Sequence, residues 1–251
     1  MRKEYLIAGN WKMHKNVGQS REFILGLARS FEPLEGLTVA VFPPFIALPG
    51  LRALDAKIKI GAQNMFYEEQ GAFTGEISPW MLQGLVDYVL VGHSERREIF
   101  KESDEDVNKK IKAALRFNLD PVLCVGETLQ ERESGKTMAK IQQQLEKALQ
   151  GVDIIDMKRI VVAYEPIWAI GTGLNATPAQ AQEVHHFIKG IWRDMGAGQK
   201  LSILYGGSVK PENSLELLAQ EDILGFLVGG ASLKVDQFSA IIHNCAQLLD
   251  K

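Results

Sequence analysis

The chain has 251 residues, 46% hydrophobic and 24% charged, proportions of an ordinary globular protein that argue against disorder or a fibrous repeat. Its net charge of -3, with no block of consecutive Lys or Arg, gives nothing to grip a polyphosphate backbone, so nucleic acid is not an expected partner. No apolar run reaches membrane-spanning length and the apolar stretch after Met1-Arg2-Lys3-Glu4 is too short for a secretory signal. Cys124 and Cys245, the two cysteines, lie far apart in apolar segments, which predicts buried free thiols and a cytoplasmic location.

Short apolar, β-branched runs recur in chain order at Leu6 to Ala8, Val39 to Phe42, Ile58 to Ala62, Tyr88 to Val91, Val122 to Val125, Ile160 to Ala163, Ile203 to Tyr205 and Phe226 to Val228. They lack the polar alternation of a half-exposed strand, so each is expected to be buried on both faces, as in a parallel sheet. Between them, Asp104 to Phe117, Leu129 to Leu149 and Pro178 to Met195 carry helical spacing, the last opened by Thr177-Pro178 as N-cap and first helical residue. Eight strand-then-helix units in this length predict an α/β fold, a single (β/α)8 barrel covering residues 1–251, with a doubly wound open sheet as the alternative. The units share no consensus, which excludes a solenoid, and no Pro/Gly/Ser-rich linker divides the chain.

Barrel enzymes carry their chemistry on the loops after each strand. The polar residues there are Asn10 and Lys12, Gln63 and Asn64, His93 and Glu95, Glu127, Glu165, Ser208 and the pair Gly229-Gly230. A cation, an imidazole, carboxylates and glycines together suit an anion site with a proton moved beside it. Glu165 directly follows an apolar run and precedes Pro166, which cannot continue a ladder. Although most Glu residues are solvated surface groups, the segment Ile167-Trp168-Ala169-Ile170-Gly171-Thr172-Gly173 is too apolar for an idle loop and reads as a hinged lid. Such a lid is expected to dehydrate Glu165 and raise its pKa, as a general base requires.

A lone His is more often structural, but if Ser94-Glu95-Arg96-Arg97 opens a helix, the dipole would hold His93 neutral as a donor that polarises a carbonyl. Lys12 taken alone would be one more solvated lysine. Its place at the same mouth as His93 and Glu165 makes it a candidate to stabilise a phosphate and a developing enolate. The clusters Gly206-Gly207-Ser208 and Gly229-Gly230 follow the seventh and eighth runs, where barrels commonly bind phosphate through backbone N–H groups.

Competing motifs carry less. Gly171-Thr172-Gly173-Leu174-Asn175-Ala176 fits a dinucleotide pattern, but its glycines do not abut a strand and a helix-like segment follows where a second strand should end in an acid. Gly135-Lys136-Thr137 lacks the first glycine of a nucleotide-binding loop, since Gln130 stands there. A Schiff-base lyase would need a desolvated lysine in a strand interior, whereas Lys57, Lys59 and Lys200 only border runs. No spacing typical of metal ligands occurs among the five histidines, and adjacent His185-His186 should point to different faces of one helix.

Several blocks resemble the triosephosphate isomerase family: Gly9-Asn10-Trp11-Lys12-Met13, Gly71-Ala72-Phe73-Thr74-Gly75-Glu76, Val91-Gly92-His93-Ser94-Glu95-Arg96-Arg97, Ala163-Tyr164-Glu165-Pro166 through Gly173, and Tyr205-Gly206-Gly207-Ser208-Val209. The resemblance spans the chain and implies a TIM barrel that interconverts two triose phosphates without cofactor or metal. It implies Glu165 as base, His93 as neutral electrophile, Lys12 as electrostatic partner and Asn10 as substrate contact. It further implies phosphate on the N–H groups of Gly171, Ser208, Gly229 and Gly230, with Glu95 in support and Ile170 and Leu227 as an apolar clamp. His14, and Leu174-Asn175 at the lid's far hinge, depart from the commoner family pattern.

The stretch Gln63 to Ser78 is long for a connection without helical period. It carries Met65, Phe66, Tyr67 and Phe73, which would expose an apolar patch on a monomer. A homodimer is therefore expected, and the resemblance implies that Thr74 reaches Asn10, and Glu76 reaches Arg96, of a second copy.

Overall fold

The computed structural model describes residues 3–54, 57–171, 175–198 and 200–249. Eight strands run parallel in sequence order: β1 (Tyr5–Asn10), β2 (Leu37–Phe42), β3 (Lys59–Ala62), β4 (Tyr88–Val91), β5 (Asp120–Val125), β6 (Val161–Tyr164), β7 (Ser202–Tyr205) and β8 (Gly225–Val228). Each pairs with the next, and β8 returns to β1 in the register Leu6↔Gly225 to Gly9↔Val228, closing a barrel. Closure decides against the open sheet.

The unbroken apolar runs have a direct cause, because each strand faces two cores. Alternate residues such as Leu6, Ala8, Val122, Cys124, Leu204 and Leu227 fill the barrel interior. Their neighbours, including Tyr5, Ile7, Leu123, Val125 and Ile203, pack outward into the larger cluster shared with the helices. Both cysteines are buried, Cys124 in the barrel and Cys245 in the outer layer.

Among the described residues the outer layer comprises α1 (Val17–Ala28), α2 (Leu48–Arg52), α3 (Pro79–Leu82), α4 (Ser94–Glu98), α5 (Asp104–Arg116), α6 (Leu129–Glu133), α7 (Thr137–Leu149), α8 (Ile154–Met157), α9 (Pro178–Asp194), α10 (Pro211–Leu218) and α11 (Val235–Leu249). Tight 3-10 turns lie at Phe45–Ala47, Ile167–Ala169 and Gly230–Leu233. α9 begins as its sequence predicts: Thr177 accepts from the Gln180 N–H, the Gln180 side chain returns to the Thr177 N–H, and Pro178 occupies the first turn. The expected helix from Leu129 to Leu149 is instead two. Gly135 takes φ +69°, outside the right-handed helix, and separates α6 from α7.

The loop from Gln63 to Ser78 also corrects an expectation. Met65 is fully buried in the core. Phe66 stacks on Tyr67 with ring centroids 4.2 Å apart and meets Phe73 at 4.5 Å, and its N–H closes the loop on Ile77 O. Of the four apolar residues only Phe73, 43% exposed, remains a large exposed hydrophobic. The loop satisfies most of its own apolar surface.

Candidate active site

Glu165 leaves the end of β6 while its backbone is still tied to the neighbouring strand. Its N–H donates to Val125 O at 2.8 Å and the Ile167 N–H donates to Glu127 O at 3.1 Å. The carboxylate is 2% exposed. Its Oε1 accepts from His93 Nε2 at 2.9 Å and its Oε2 accepts from the Ser94 N–H at 2.9 Å. Burial alone would raise the Glu165 pKa, but His93 and the Ser94 amide outweigh it and hold the carboxyl below its usual value. The upward shift expected from a dehydrating lid is thus absent in this arrangement, because two donors stabilise the ion. Thr172, Gly173 and Leu174, which the lid and hinge expectations include, lie outside the described residues.

His93 is the N-cap of α4, as the strand-to-helix reading requires, and its Nδ1 accepts from the Glu95 N–H at 3.2 Å. Burial opposes charge on the ring, while the adjacent Glu165 carboxylate offsets that and raises its proton affinity. The Glu95 amide makes the opposite demand. A second ring proton would occupy Nδ1 and break the bond that caps α4, so the cap favours the neutral ring with its proton on Nε2, against the pull of the Glu165 carboxylate.

Lys12 follows β1 in a left-handed conformation, φ +50°, a strain of about 1–3 kcal/mol that its surroundings must offset. Its N–H donates to Asn10 Oδ1 at 3.0 Å and its carbonyl accepts from Gln63 Nε2 at 2.8 Å. Gln63 Nε2 also donates to Phe42 O at 2.8 Å, which locks the loop to β2. Lys12 Nζ donates to Glu95 Oε1 at 2.5 Å. Asn10 is 5% exposed at the end of β1.

Asn10, Lys12, His93 and Glu165 border one cavity of about 640 Å³ at the C-terminal ends of the strands, and Ile170, Gly171, Ser208, Leu227, Gly229 and Gly230 line it too. A methyl group added to Gly229 would lie 3.8 Å from Lys12 Cε, so the cation's stem runs beside the glycine pair. The Ser232 hydroxyl ties the turn after β8 by donating to Gly229 O at 2.7 Å. Glu127, fully buried, accepts from Tyr164 OH at 3.1 Å and from Trp168 Nε1 at 2.9 Å, which anchors the segment that follows Glu165.

The remaining residues singled out by sequence lie elsewhere. Thr74 and Glu76 are exposed on the loop after β3, and Arg96 Nε donates to Glu102 Oε2 at 2.7 Å within its own chain. Lys59 opens β3 but is exposed and paired with Asp87, and Lys200 pairs with Glu4. His185 and His186 do face differently, one buried and one exposed, yet both reach Asp222, through its carbonyl and its carboxylate respectively.

Two participants escaped sequence reasoning. Ser94 acts through its backbone, which no residue type announces. Gln144, whose Oε1 accepts from the buried Gly126 N–H at 2.9 Å, did leave a signal, as a polar residue on the buried stripe Ile141, Leu145, Ala148 of α7.

The chain matches the family model described as Triosephosphate isomerase over residues 5–245. It is 52% identical over 248 residues to the triosephosphate isomerase of Carboxydothermus hydrogenoformans, covering 96% of this chain and 98% of that protein. It is 49% identical over 245 residues to that of Clostridium tetani, covering 95% of each. With that of Alkaliphilus metalliredigens the identity is 52% over 244 residues, 95% of this chain and 98% of the other. Among the described residues, no helix is long and apolar enough to cross a membrane.

Proposed function

Because the chain belongs to the triosephosphate isomerase family and performs its reaction, the interconversion of dihydroxyacetone phosphate and D-glyceraldehyde 3-phosphate in glycolysis and gluconeogenesis, we propose that Glu165 is the base that moves the proton. The observation that carries this is the buried contact of Glu165 with His93 Nε2 at 2.9 Å, in a cavity that Lys12 and five glycines share.

Glu165 takes a proton from the carbon beside the carbonyl, and the electron pair moves onto the carbonyl oxygen. His93 Nε2–H donates to that oxygen, and the resulting enediolate is stabilised by the Lys12 cation. Glu165 then returns the proton to the former carbonyl carbon, while the hydroxyl proton of the first carbon passes through the His93 ring to the new oxyanion, which leaves the carbonyl on the first carbon. Nothing is oxidised or reduced overall, so the step calls for no redox cofactor, and His93 and Lys12 supply the polarisation for which a metal would otherwise serve. Asn10 contacts the substrate, and Glu95 supports the site by holding Lys12 until substrate arrives. This family is itself the standing example of a Glu base beside a neutral His under a closing loop, so the scheme is inherited rather than deduced.

The phosphate is assigned to the N–H groups of Gly171, Ser208, Gly229 and Gly230. Ile170 and Leu227 press on Glu165 to exclude water. The whole chain, residues 1–251, is read as one barrel domain. We assign it to the cytoplasm as a homodimer, with Thr74 near Asn10 and Glu76 near Arg96 of a second copy and with no nucleic-acid or membrane partner. Exposed Phe73, at 43%, supports the dimer. Replacing residues 65–73 with a short polar turn should give a monomer of low activity by ultracentrifugation and assay; a fully active monomer would remove both roles from the loop. The chemistry is tested by isomerisation with and without chelator, where activity lost to chelator would contradict it.

A further inference from the structure

We propose that Gln144, a buried side chain of the outer helical layer, is a positioning residue for Glu165 and acts through Gly126. The proposal rests on Glu165 being the base.

The β5–β6 ladder ends at Val125↔Tyr164, yet the two chains remain joined beyond it. Glu165 N–H to Val125 O and Ile167 N–H to Glu127 O continue the contact for three further residues. Gly126 lies between those two bonds. A methyl group built on its α-carbon would fall 1.8 Å from Glu165 O and 2.8 Å from Glu165 C. The backbone of the base therefore rests directly on the α-carbon of Gly126, and any displacement of Gly126 displaces Glu165.

What fixes Gly126 is its N–H, which donates to Gln144 Oε1 at 2.9 Å, both groups buried. Gln144 is 4% exposed and stands on the face of α7 that otherwise presents Ile141, Leu145 and Ala148. An amide on that stripe is unfavourable unless hydrogen-bonded. The residue after Gly126 is held independently, since the Glu127 carboxylate takes Tyr164 OH and Trp168 Nε1. Gln144 holds one end of the short segment on which Glu165 lies, and Glu127 the other.

Removing the Gln144 acceptor leaves the Gly126 N–H buried without a partner, and the segment gains by shifting toward another acceptor or water. A shift well under 1 Å is enough to be read in turnover, because about 1 Å of misplacement costs on the order of a hundredfold. Of the residues assigned to the phosphate, Lys12, Ser208, Gly229 and Gly230 follow β1, β7 and β8, away from this contact, and Gly171 follows β6 beyond Trp168, which Glu127 anchors independently.

The test is Gln144→Met, which keeps volume without an acceptor, compared with Gln144→Glu, which keeps an acceptor oxygen in the same place. Expected for Gln144→Met is a fall in kcat of about tenfold, with KM and the inhibition constant of inorganic phosphate held within about twofold. Gln144→Glu should recover most of the loss. In a Glu165→Asp background, where the base is already withdrawn, Gln144→Met should cost less than about twofold more. If the methionine variant does not fold, Gln144→Asn, one methylene short, takes its place. Unchanged kcat with a lowered melting temperature would overturn the proposal and leave Gln144 a purely structural residue. So would an equal loss in both backgrounds. Near-normal activity of Glu165→Asp alone would instead remove the base assignment beneath it.

Discussion

His93 Nε2 and Glu165 Oε1 are 2.9 Å apart, so the two side chains proposed as polarising donor and base are hydrogen-bonded to each other. The bond uses the same ring proton that the substrate carbonyl would take, and Oε2 of the base is held by the Ser94 N–H as well. Substrate must replace both bonds, and the ring must hold one proton on Nε2 while Nδ1 accepts from Glu95.

His93→Gln should therefore lower kcat far more than it raises KM. The donor is needed most as negative charge develops on the carbonyl oxygen, and a proton-transfer or donor role of this kind is typically worth about 10² to 10⁴. Steady-state kinetics in both directions measures this. A change in KM alone would make His93 a binding residue.

Lys12 has its stem beside Gly229 and its ammonium on Glu95, and the proposed scheme has it serve both ends of the substrate. Lys12→Met should raise the inhibition constant of inorganic phosphate by roughly tenfold or more, given that hydrogen bonds to charged groups are worth about 1.5–3 kcal/mol. It should also reduce kcat, because the same charge faces the enediolate. An unchanged phosphate affinity would confine Lys12 to the proton-transfer step.

His185 is fully buried, and burial pushes its pKa down to about 4. The folded state thus binds a proton more weakly than the unfolded chain, whose His titrates near 6.5. Above about pH 6.5 neither state carries the proton and nothing is lost. As pH falls from there toward 4 the unfolded state gains protons first, which removes roughly 3 kcal/mol of stability by pH 4. His185→Gln, which can still donate to Asp222 O, should lack that part of the acid loss. Denaturant titrations of both proteins at pH 7 and pH 4.5, at equal protein concentration, make the comparison; parallel losses would exclude His185 as the source.

Much of this was legible because a closed barrel buries both faces of every strand. Val122 to Val125 reads as a strand on apolarity alone, and residues directly after such runs, as with Glu165 and His93, fall at one end of the barrel. Orientation within irregular segments was not legible. Met65 and Phe73 look equally apolar on one loop, yet Met65 is fully buried and Phe73 is 43% exposed. The helical period running through Leu129 to Leu149 outweighed Gly135, whose left-handed turn ends α6. The proton affinity of Glu165 also could not be read from its neighbours in sequence, since it depends on burial set against His93 and a backbone N–H from Ser94, the latter 71 residues away.

The central claim is that Glu165 moves the proton, and solvent exchange tests it most directly. Dihydroxyacetone phosphate is incubated in D2O with the native protein and with Glu165→Gln, and deuterium is followed by NMR in the remaining substrate at C1 and in the product at C2. A proton held by a carboxylate exchanges with solvent before it is returned, so the native protein should place deuterium at both positions. Glu165→Gln should lose exchange and turnover together while still binding inorganic phosphate. Exchange by Glu165→Gln at the native rate would contradict the account.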